Sequence, residues 1–262
     1  MTSPPPRSDA PASRGLFAHV ERLQDGRPWG ALLEAGTGVN SMRWVLGLDT
    51  SRWTAVTGSA DHGAQVREAV GDRARPDDRL IVGAWQDPGL LQGEVFDTVL
   101  ADYLLGAVEG FAPYFQQALF RRLRPHVAGR LYVVGLDPYV TGAAAGPAEA
   151  TVRDIGRLRD ACLLLAGETP YREYPAEWAV ERLQADGFRV VSARRFANRY
   201  KARWINSQLD MALRRAERLH DAALASALKG RIETLRDQAL DLAQREDGLR
   251  AGHDWVIAAE PV

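Results

Sequence analysis

A glycine turn follows the first buried run of the sequence. Residues 31–34 form a short apolar run closed by Glu34, and Gly36, Thr37 and Gly38 come shortly after it. Glycines at such a turn let the backbone approach a ligand closely, and the N-terminus of the next helix offers free N–H groups. The acidic residue before the turn favours an ammonium group as ligand over a pyrophosphate, which it would repel. A purely structural turn would use the same residues.

A second set of polar side chains lies where two later strands are predicted to end. Asp102 and Tyr103 follow the fourth predicted strand, and Asp137 and Tyr139 follow the fifth. Open α/β sheets bind ligands outside the carboxyl ends of their strands. We therefore interpret Asp102, Tyr103 and Tyr139 as the candidate catalytic residues, which would hold a charged group or orient a reacting molecule. The alternatives are a turn-capping aspartate and tyrosines packed in the core.

The histidines and the single cysteine show no spacing that suggests a metal site, so no metal is predicted. His62 follows the second predicted strand and could approach a bound ligand. His126 precedes the fifth strand, at the opposite end of the sheet, and is predicted to be a surface turn residue. Cys162 lies in an apolar run and is predicted to be a buried structural thiol.

Strands alternate with helices along the chain, which predicts parallel βαβ units and a doubly wound α/β sheet. The predicted strands are residues 31–34, 53–57, 79–82, 96–101, 129–134, 188–194 and 253–259. Helices are predicted within residues 14–29, 41–48, 63–70, 114–123, 149–166 and 175–185. These elements bring the glycine turn and the candidate side chains to one edge of the sheet.

Composition limits the kinds of function that the chain can have. The 262 residues fit one large α/β domain or two small ones, and the formal net charge of −1 gives no general attraction to nucleic acid or to an acidic membrane. No apolar stretch approaches the ~20 residues that a membrane helix needs. Residues 1–12 are rich in Pro and Ser, which favours a disordered arm over a signal peptide. We expect a soluble cytoplasmic protein whose domain covers residues 13–262.

Four segments, in order, resemble motifs of the class I S-adenosylmethionine-dependent methyltransferases. Residues 34–40 (EAGTGVN) are similar to the first motif of that family, and residues 96–102 (FDTVLAD) to its fourth-strand motif. Residues 123–131 (LRPHVAGRL) resemble the segment before strand five, and residues 177–191 the helix, glycine and strand near the end. The resemblance covers about residues 14–200 and 253–260.

This resemblance implies a seven-stranded sheet whose last strand is antiparallel, and S-adenosylmethionine as cofactor. The sequence departs from the family where Asn40 replaces a glycine and where the acid after strand two is missing. Ser59 and Asp61 stand near that position, and Ala84 and Trp85 follow strand three. The implied cofactor-binding residues are Glu34, Gly36, Thr37, Gly38, Asn40, Ser59, Asp61, Ala84, Trp85 and Asp102.

A long helical segment separates the last two predicted strands. We expect residues 202–246 to form two antiparallel helices, inserted in the terminal hairpin, with a break between residues 223 and 230. Two apolar stripes at helical spacing can bury each other. The insertion would cover the acceptor or form a homodimer surface; the alternative is a self-contained hairpin.

Cations and aromatic residues alternate over residues 194–204. Such a run is compatible with nucleic-acid binding, but we expect a solvated helix entrance with stacked arginines; a pocket for an anionic or aromatic acceptor is a lesser alternative. The function that we expect is methyl transfer to a small-molecule or natural-product acceptor, without nucleic acid or membrane as partner. The alternatives are a catalytically silent protein of the same fold that binds a partner, and an RNA or protein methyltransferase.

Overall fold

The computed structural model of the protein describes residues 11–262. The predicted N-terminal arm, residues 1–12, lies outside the described residues except for its last two, which begin helix α1 (Pro11–Gln24). No helix within the described range is long and apolar enough to cross a membrane.

A seven-stranded sheet with the order β3-β2-β1-β4-β5-β7-β6 forms the centre of the fold. Strand β7 pairs antiparallel with both β5 and β6, and the other pairings are parallel. The strands are β1 (Ala31–Glu34), β2 (Arg52–Thr57), β3 (Arg79–Val82), β4 (Phe96–Asp102), β5 (Val127–Leu136), β6 (Phe188–Tyr200) and β7 (Leu249–Pro261). The predicted doubly wound sheet with an antiparallel last strand is confirmed.

Helices cover both faces of this sheet. They are α2 (Val39–Val45), α3 (Ala60–Val70), α4 (Leu104–Ala107), α5 (Gln116–Leu123), α6 (Pro147–Leu165), α7 (Ala176–Ala185), α8 (Ala202–Ala216) and α9 (Ala222–Arg245). Because side chains alternate along a strand, Leu131 and Val133 of β5 pack towards α5 and α7, whereas Tyr132 and Val134 pack towards α1. The two apolar layers fix the strand ends, and hence the positions of the side chains that follow them.

The helical insertion shares its core with helix α6. Buried residues of α8 and α9 cluster with Val152, Ile155 and Cys162 of α6, so the alternative of a self-contained hairpin is wrong. The break between α8 and α9 also lies earlier than predicted, at residues 217–221 instead of 223–230. The reason is that Asp221 caps α9 by accepting a hydrogen bond from the Leu224 amide (3.0 Å), and the alanine-rich segment after it favours helix.

Strands β6 and β7 are 13 residues long each and extend beyond the predicted 188–194 and 253–259. They pair along their whole length, from Phe188↔Pro261 to Tyr200↔Leu249. In the second half of β6 the exposed Arg195 and Arg199 alternate with less exposed side chains, the period of a strand. The interpretation of residues 194–204 as a helix entrance is therefore wrong for residues 194–200, which stay in the sheet, and correct for residues 201–204, where Lys201 precedes the first turn of α8.

Candidate functional site

Hydrogen bonds to both neighbouring strands hold the glycine turn between β1 and α2. The Ala35 amide donates to the Leu100 carbonyl of β4 (2.7 Å), and the Thr37 amide donates to the Val56 carbonyl of β2 (2.8 Å). From below, the indole N–H of Trp85 donates to the Ala35 carbonyl (2.6 Å). These contacts keep the turn in one conformation before any ligand binds.

The two glycines of the turn have different roles. A Cβ atom on Gly36 would lie 2.8 Å from the Leu104 Cβ atom, so glycine is needed there for packing against α4. A Cβ atom on Gly38 would meet none of the described atoms within 4 Å. Gly38 lines the open space above the turn, and its missing side chain leaves the backbone accessible there.

A cavity of about 1280 Å³ opens at the carboxyl ends of the strands, from the glycine turn to the start of α8. The structure brings most of the predicted site residues to its wall. They are Gly36, Thr37, Gly38, Asn40, Ala84, Trp85, Asp102 and Tyr103. A chamber of this size can hold an S-adenosylmethionine-sized molecule together with a second small molecule.

Two carboxyl groups lie beside the turn, the fully buried Glu34 and the half-buried Asp102. Oδ1 of Asp102 has no hydrogen-bond partner in the described part of the chain, whereas the hydroxyl groups of Thr37 and Ser41 lie near the Glu34 carboxyl and act to lower its pKa. Burial raises the pKa of Asp102 to about 7, and the charge of Asp254 adds to the shift. Burial also raises the pKa of Glu34 well above its usual range. Buried polar atoms are nearly always paired in proteins, so Oδ1 of Asp102 indicates a donor or cation that the chain itself does not supply.

The far end of the cavity combines polar and aromatic side chains. Tyr103 has a left-handed backbone (φ +50°) and is anchored by its amide, which donates to the Val134 carbonyl (2.9 Å). Asp254 is 7% exposed, and burial raises its pKa to about 6. Tyr200 and Trp204 pack with ring centroids 4.1 Å apart on the same wall. This end offers hydrogen-bond acceptors and flat apolar surface to a second molecule.

Four predicted site residues lie away from the cavity wall. Glu34 is fully buried below the turn. Ser59 caps α3, where its hydroxyl accepts from the His62 amide (3.3 Å), and Asp61 is exposed in the first turn of that helix. The Tyr139 hydroxyl instead accepts a hydrogen bond from Arg159 of α6 (2.6 Å). Tyr139 thus contacts the helical layer and not the chamber.

The histidines differ from the prediction in one respect. His126 is 3% exposed and not a surface residue, because its ring lies between Arg122 (2.6 Å) and the Glu94 carbonyl (2.8 Å). His62 is exposed and lies on the cavity wall. Within residues 11–262 no three His, Cys, Asp or Glu side chains are grouped closely enough to hold a metal ion. Cys162 is buried, as predicted, and burial raises its pKa.

Several wall residues were not among the predicted site residues. They are Phe111, Tyr171, Phe196, Asn198, Tyr200, Trp204 and Asp254. One signal was visible: Asp254 immediately precedes the apolar run of the last strand, where a charged residue is unusual. The run of residues 194–204 was expected to line a pocket only as a lesser alternative, and residues 196–201, 203 and 204 do lie on the cavity wall.

Comparison with known proteins finds this fold among solved structures. No model of a protein family matches the sequence, and no curated protein does. A putative methyltransferase from Bacillus halodurans matches with a TM-score of 0.59 and 13% identity over 93% of this chain and 98% of that one. The YcgJ protein from Bacillus subtilis matches with a TM-score of 0.58 and 13% identity, over 95% and 98%.

A third structure, coclaurine N-methyltransferase bound to N-methylheliamine and S-adenosylhomocysteine, matches with a TM-score of 0.55 and 14% identity. The match covers 95% of this chain and 72% of that one. At these identities the likeness concerns the fold. The chain has the class I methyltransferase fold, as the sequence motifs predict.

Proposed function

We propose that the protein is a cytoplasmic S-adenosylmethionine-dependent methyltransferase that acts on a small-molecule acceptor. One observation carries this proposal: a single cavity joins Asp102, beside the glycine turn, to the aromatic end near α8. A cofactor and an acceptor in this cavity would lie next to each other. The fold is consistent with this activity.

The residues around the turn fit the proposed cofactor. Its ammonium group would bind the Asp102 carboxylate on the cavity wall. The open space at Gly38 admits its methionine part close to the backbone, beside Thr37 and Asn40. Its ribose and adenine would extend along the wall that Ala84 forms. When bound, the cofactor supplies a methyl group that is already activated by the sulfonium charge.

The chain's own contribution to the reaction is to position the acceptor. Direct displacement needs the attacking atom in line with the methyl carbon, and such positioning supplies much of the acceleration. Tyr103 is suited to orient the acceptor because its backbone is anchored to β5 and its side chain lies on the wall between Asp102 and Asp254. Trp204 contributes aromatic surface to the same wall.

Helix α8 supports the role of the insertion as a cover. Arg203, Trp204 and Ser207 all lie on the cavity wall. We retain a homodimer through α8 and α9 as the alternative use, and light scattering distinguishes the two. If the insertion is a cover, the protein should be a monomer in which Trp204→Ala lowers turnover. If it is an interface, the protein should be a dimer that dissociates in Trp204→Ala. Deleting 205–245 is a poor test because it would uncover the α6 core.

A protein that binds the cofactor without transferring methyl is the alternative from another class. A solved structure with a TM-score of 0.56 and 15% identity is described as the [4+2]-cyclase SpnF, so transfer must be measured and not assumed from the fold. An RNA substrate is less suited, because the carboxylates of Asp102 and Asp254 on the cavity wall would repel phosphate. Calorimetry with S-adenosylhomocysteine tests the cofactor site. No binding by the native chain would refute the proposal.

A further inference from the structure

We propose that the acceptor is an amine with an aromatic or alicyclic body, and that Asp254 binds its protonated nitrogen. This inference rests on the proposed methyltransferase function and names the substrate class. It starts from a buried acid on the cavity wall that the cofactor assignment does not use.

Asp254 lies at the acceptor end of the chamber. In the sheet it pairs with Leu136 of β5 and Phe196 of β6, which places it two strands away from Asp102 on β4. It is 93% buried, yet it lines the cavity. It makes no ion pair in the part of the chain that the structure describes. Hydrogen bonds from Asn198 and Tyr103 compensate its burial only in part, and a cationic ligand would compensate it further.

The surface around Asp254 is aromatic. Phe196 and Tyr200 lie on the same wall, and Trp204 packs against Tyr200 at 4.1 Å. Aromatic faces attract a nearby cation as well as apolar rings. A carboxylate bordered by such faces matches an organic ammonium better than it matches a sugar or a phosphate.

The distribution of charge supports a cationic acceptor over an anionic one. The basic residues on the wall, Arg199, Lys201 and Arg203, are all exposed at the rim. Arg199 and Lys201 are already paired with Asp247, at 2.6 and 3.1 Å. Exposed charges are screened by solvent and salt, whereas buried Asp254 is screened far less. An anionic acceptor would therefore be repelled where it has to bind.

Asp254 is also placed to accept the proton that a protonated amine must lose before its nitrogen can react. Burial raises the pKa of this carboxyl to about 6, while hydrogen bonding by Asn198 and Tyr103 opposes the shift. The raised value makes Asp254 a stronger base than an exposed aspartate. The proton can move from the bound ammonium to the Asp254 carboxylate and from there to solvent at the rim.

The test is calorimetry on the full chain saturated with S-adenosylhomocysteine. The probes are arylalkylamines with one to three rings, each paired with its isosteric alcohol and carboxylate: tryptamine, tryptophol and indole-3-acetate form one such set. We expect at least one amine to bind about ten-fold or more tightly than its alcohol, and the carboxylate to bind weakest. Asp254→Asn should remove the amine preference while leaving alcohol affinity within about two-fold.

Asp247→Asn is the matched control, because Asp247 is an exposed rim carboxylate at a left-handed position (φ +53°) that asparagine tolerates. It should retain the amine preference. S-adenosylhomocysteine binding is measured first in all three proteins, so that a failed cofactor site is recognised separately. The inference is overturned if the native chain binds S-adenosylhomocysteine but binds no amine more tightly than the matching alcohol, or binds no member of any set. It is also overturned if Asp254→Asn keeps the preference for the amine.

Discussion

The indole N–H of Trp85 donates a 2.6 Å hydrogen bond to the carbonyl of Ala35 and so joins the end of β3 to the glycine turn. Trp85 is 3% exposed, and its ring also lies under the Arg122 guanidinium at 5.5 Å. Its first effect in this chain is to hold the turn in place, whatever further contact its ring makes.

Trp85→Phe tests this role. Phenylalanine keeps an aromatic ring at this position, but the Ala35 carbonyl loses the indole N–H that donates to it. We therefore expect the unfolding free energy to fall by about 1–3 kcal/mol and S-adenosylhomocysteine to bind more weakly. For a chain of this size each kcal/mol lowers the Tm by about 2–4 °C. Trp53→Phe serves as the packing control, since Trp53 is equally buried at 3% exposure. Equal cofactor affinity in both variants would contradict a specific role for the Trp85 hydrogen bond.

The two glycines of the turn should respond in opposite ways. Gly38→Leu places a side chain in open space above the turn, so the fold should remain stable while cofactor binding falls below detection. Gly36→Ala should instead lower the Tm, because its Cβ atom would lie 2.8 Å from that of Leu104. Circular dichroism melting and calorimetry measure the two effects. Native affinity in Gly38→Leu would exclude the glycine turn as the binding site.

Asp102→Asn should weaken the binding of S-adenosylhomocysteine by about 1–3 kcal/mol, since a charge-assisted hydrogen bond becomes a neutral one. Because the pKa of Asp102 is raised to about 7, the native carboxylate is present above pH 7 and is lost as the pH falls through that value. Native affinity should therefore decline below pH 7, and the variant should lose this part of the dependence. Parallel pH profiles for the two proteins would contradict the assignment.

The same pKa shift has a consequence for stability. The folded, unliganded protein binds a proton at Asp102 more tightly than the unfolded chain does, so stability from this group is present at low pH and is lost as the pH rises through about 7. At pH 8 we expect Asp102→Asn to raise the unfolding free energy by on the order of 2 kcal/mol. Chemical denaturation without ligand measures it, and a variant less stable than the native chain would contradict the prediction.

Removing the hydroxyl group of Tyr103 and that of Tyr139 should affect different properties, turnover in the first case and stability in the second. Tyr103→Phe removes a hydroxyl from the cavity wall and should lower kcat with little change in cofactor affinity. Tyr139→Phe removes one of the hydrogen-bond partners of Arg159, so it should lower the Tm and leave kcat nearly unchanged. Steady-state kinetics and thermal melts decide between them. A larger fall of kcat in Tyr139→Phe would move the reacting centre towards α6.

Most of the fold could be predicted from the motifs around the first, fourth and fifth strands. The reason is that an apolar run and the turn that ends it are recognisable from residues that are neighbours in the sequence. Strand β1 lies at the predicted residues 31–34, and Gly36, Gly38 and Asp102 share one cavity wall. Strand β6 was expected to end at residue 194 because Arg195 and Arg199 suggested a solvated segment. Its extension to Tyr200 depends on pairing with β7, about 50 residues later in the chain.

The acceptor end was harder to predict for the same reason. Asp254, Phe196 and Trp204 come from β7, β6 and α8, and only the sheet order brings them together. Tyr139 was predicted at the site because it follows β5, but its hydroxyl binds Arg159 of α6. Side chains just after a strand can turn to either side of the sheet edge, and packing with distant helices decides the direction.

Transfer of a labelled methyl group tests the central claim most directly. The native chain, Gly38→Leu and Asp254→Asn are incubated at pH 8 with methyl-labelled S-adenosylmethionine and an amine that binds in the calorimetric screen, and labelled product is counted. The account predicts label in the amine with the native chain, none with Gly38→Leu and much less with Asp254→Asn. Tight binding of both molecules by the native chain without any labelled product would contradict the methyltransferase assignment.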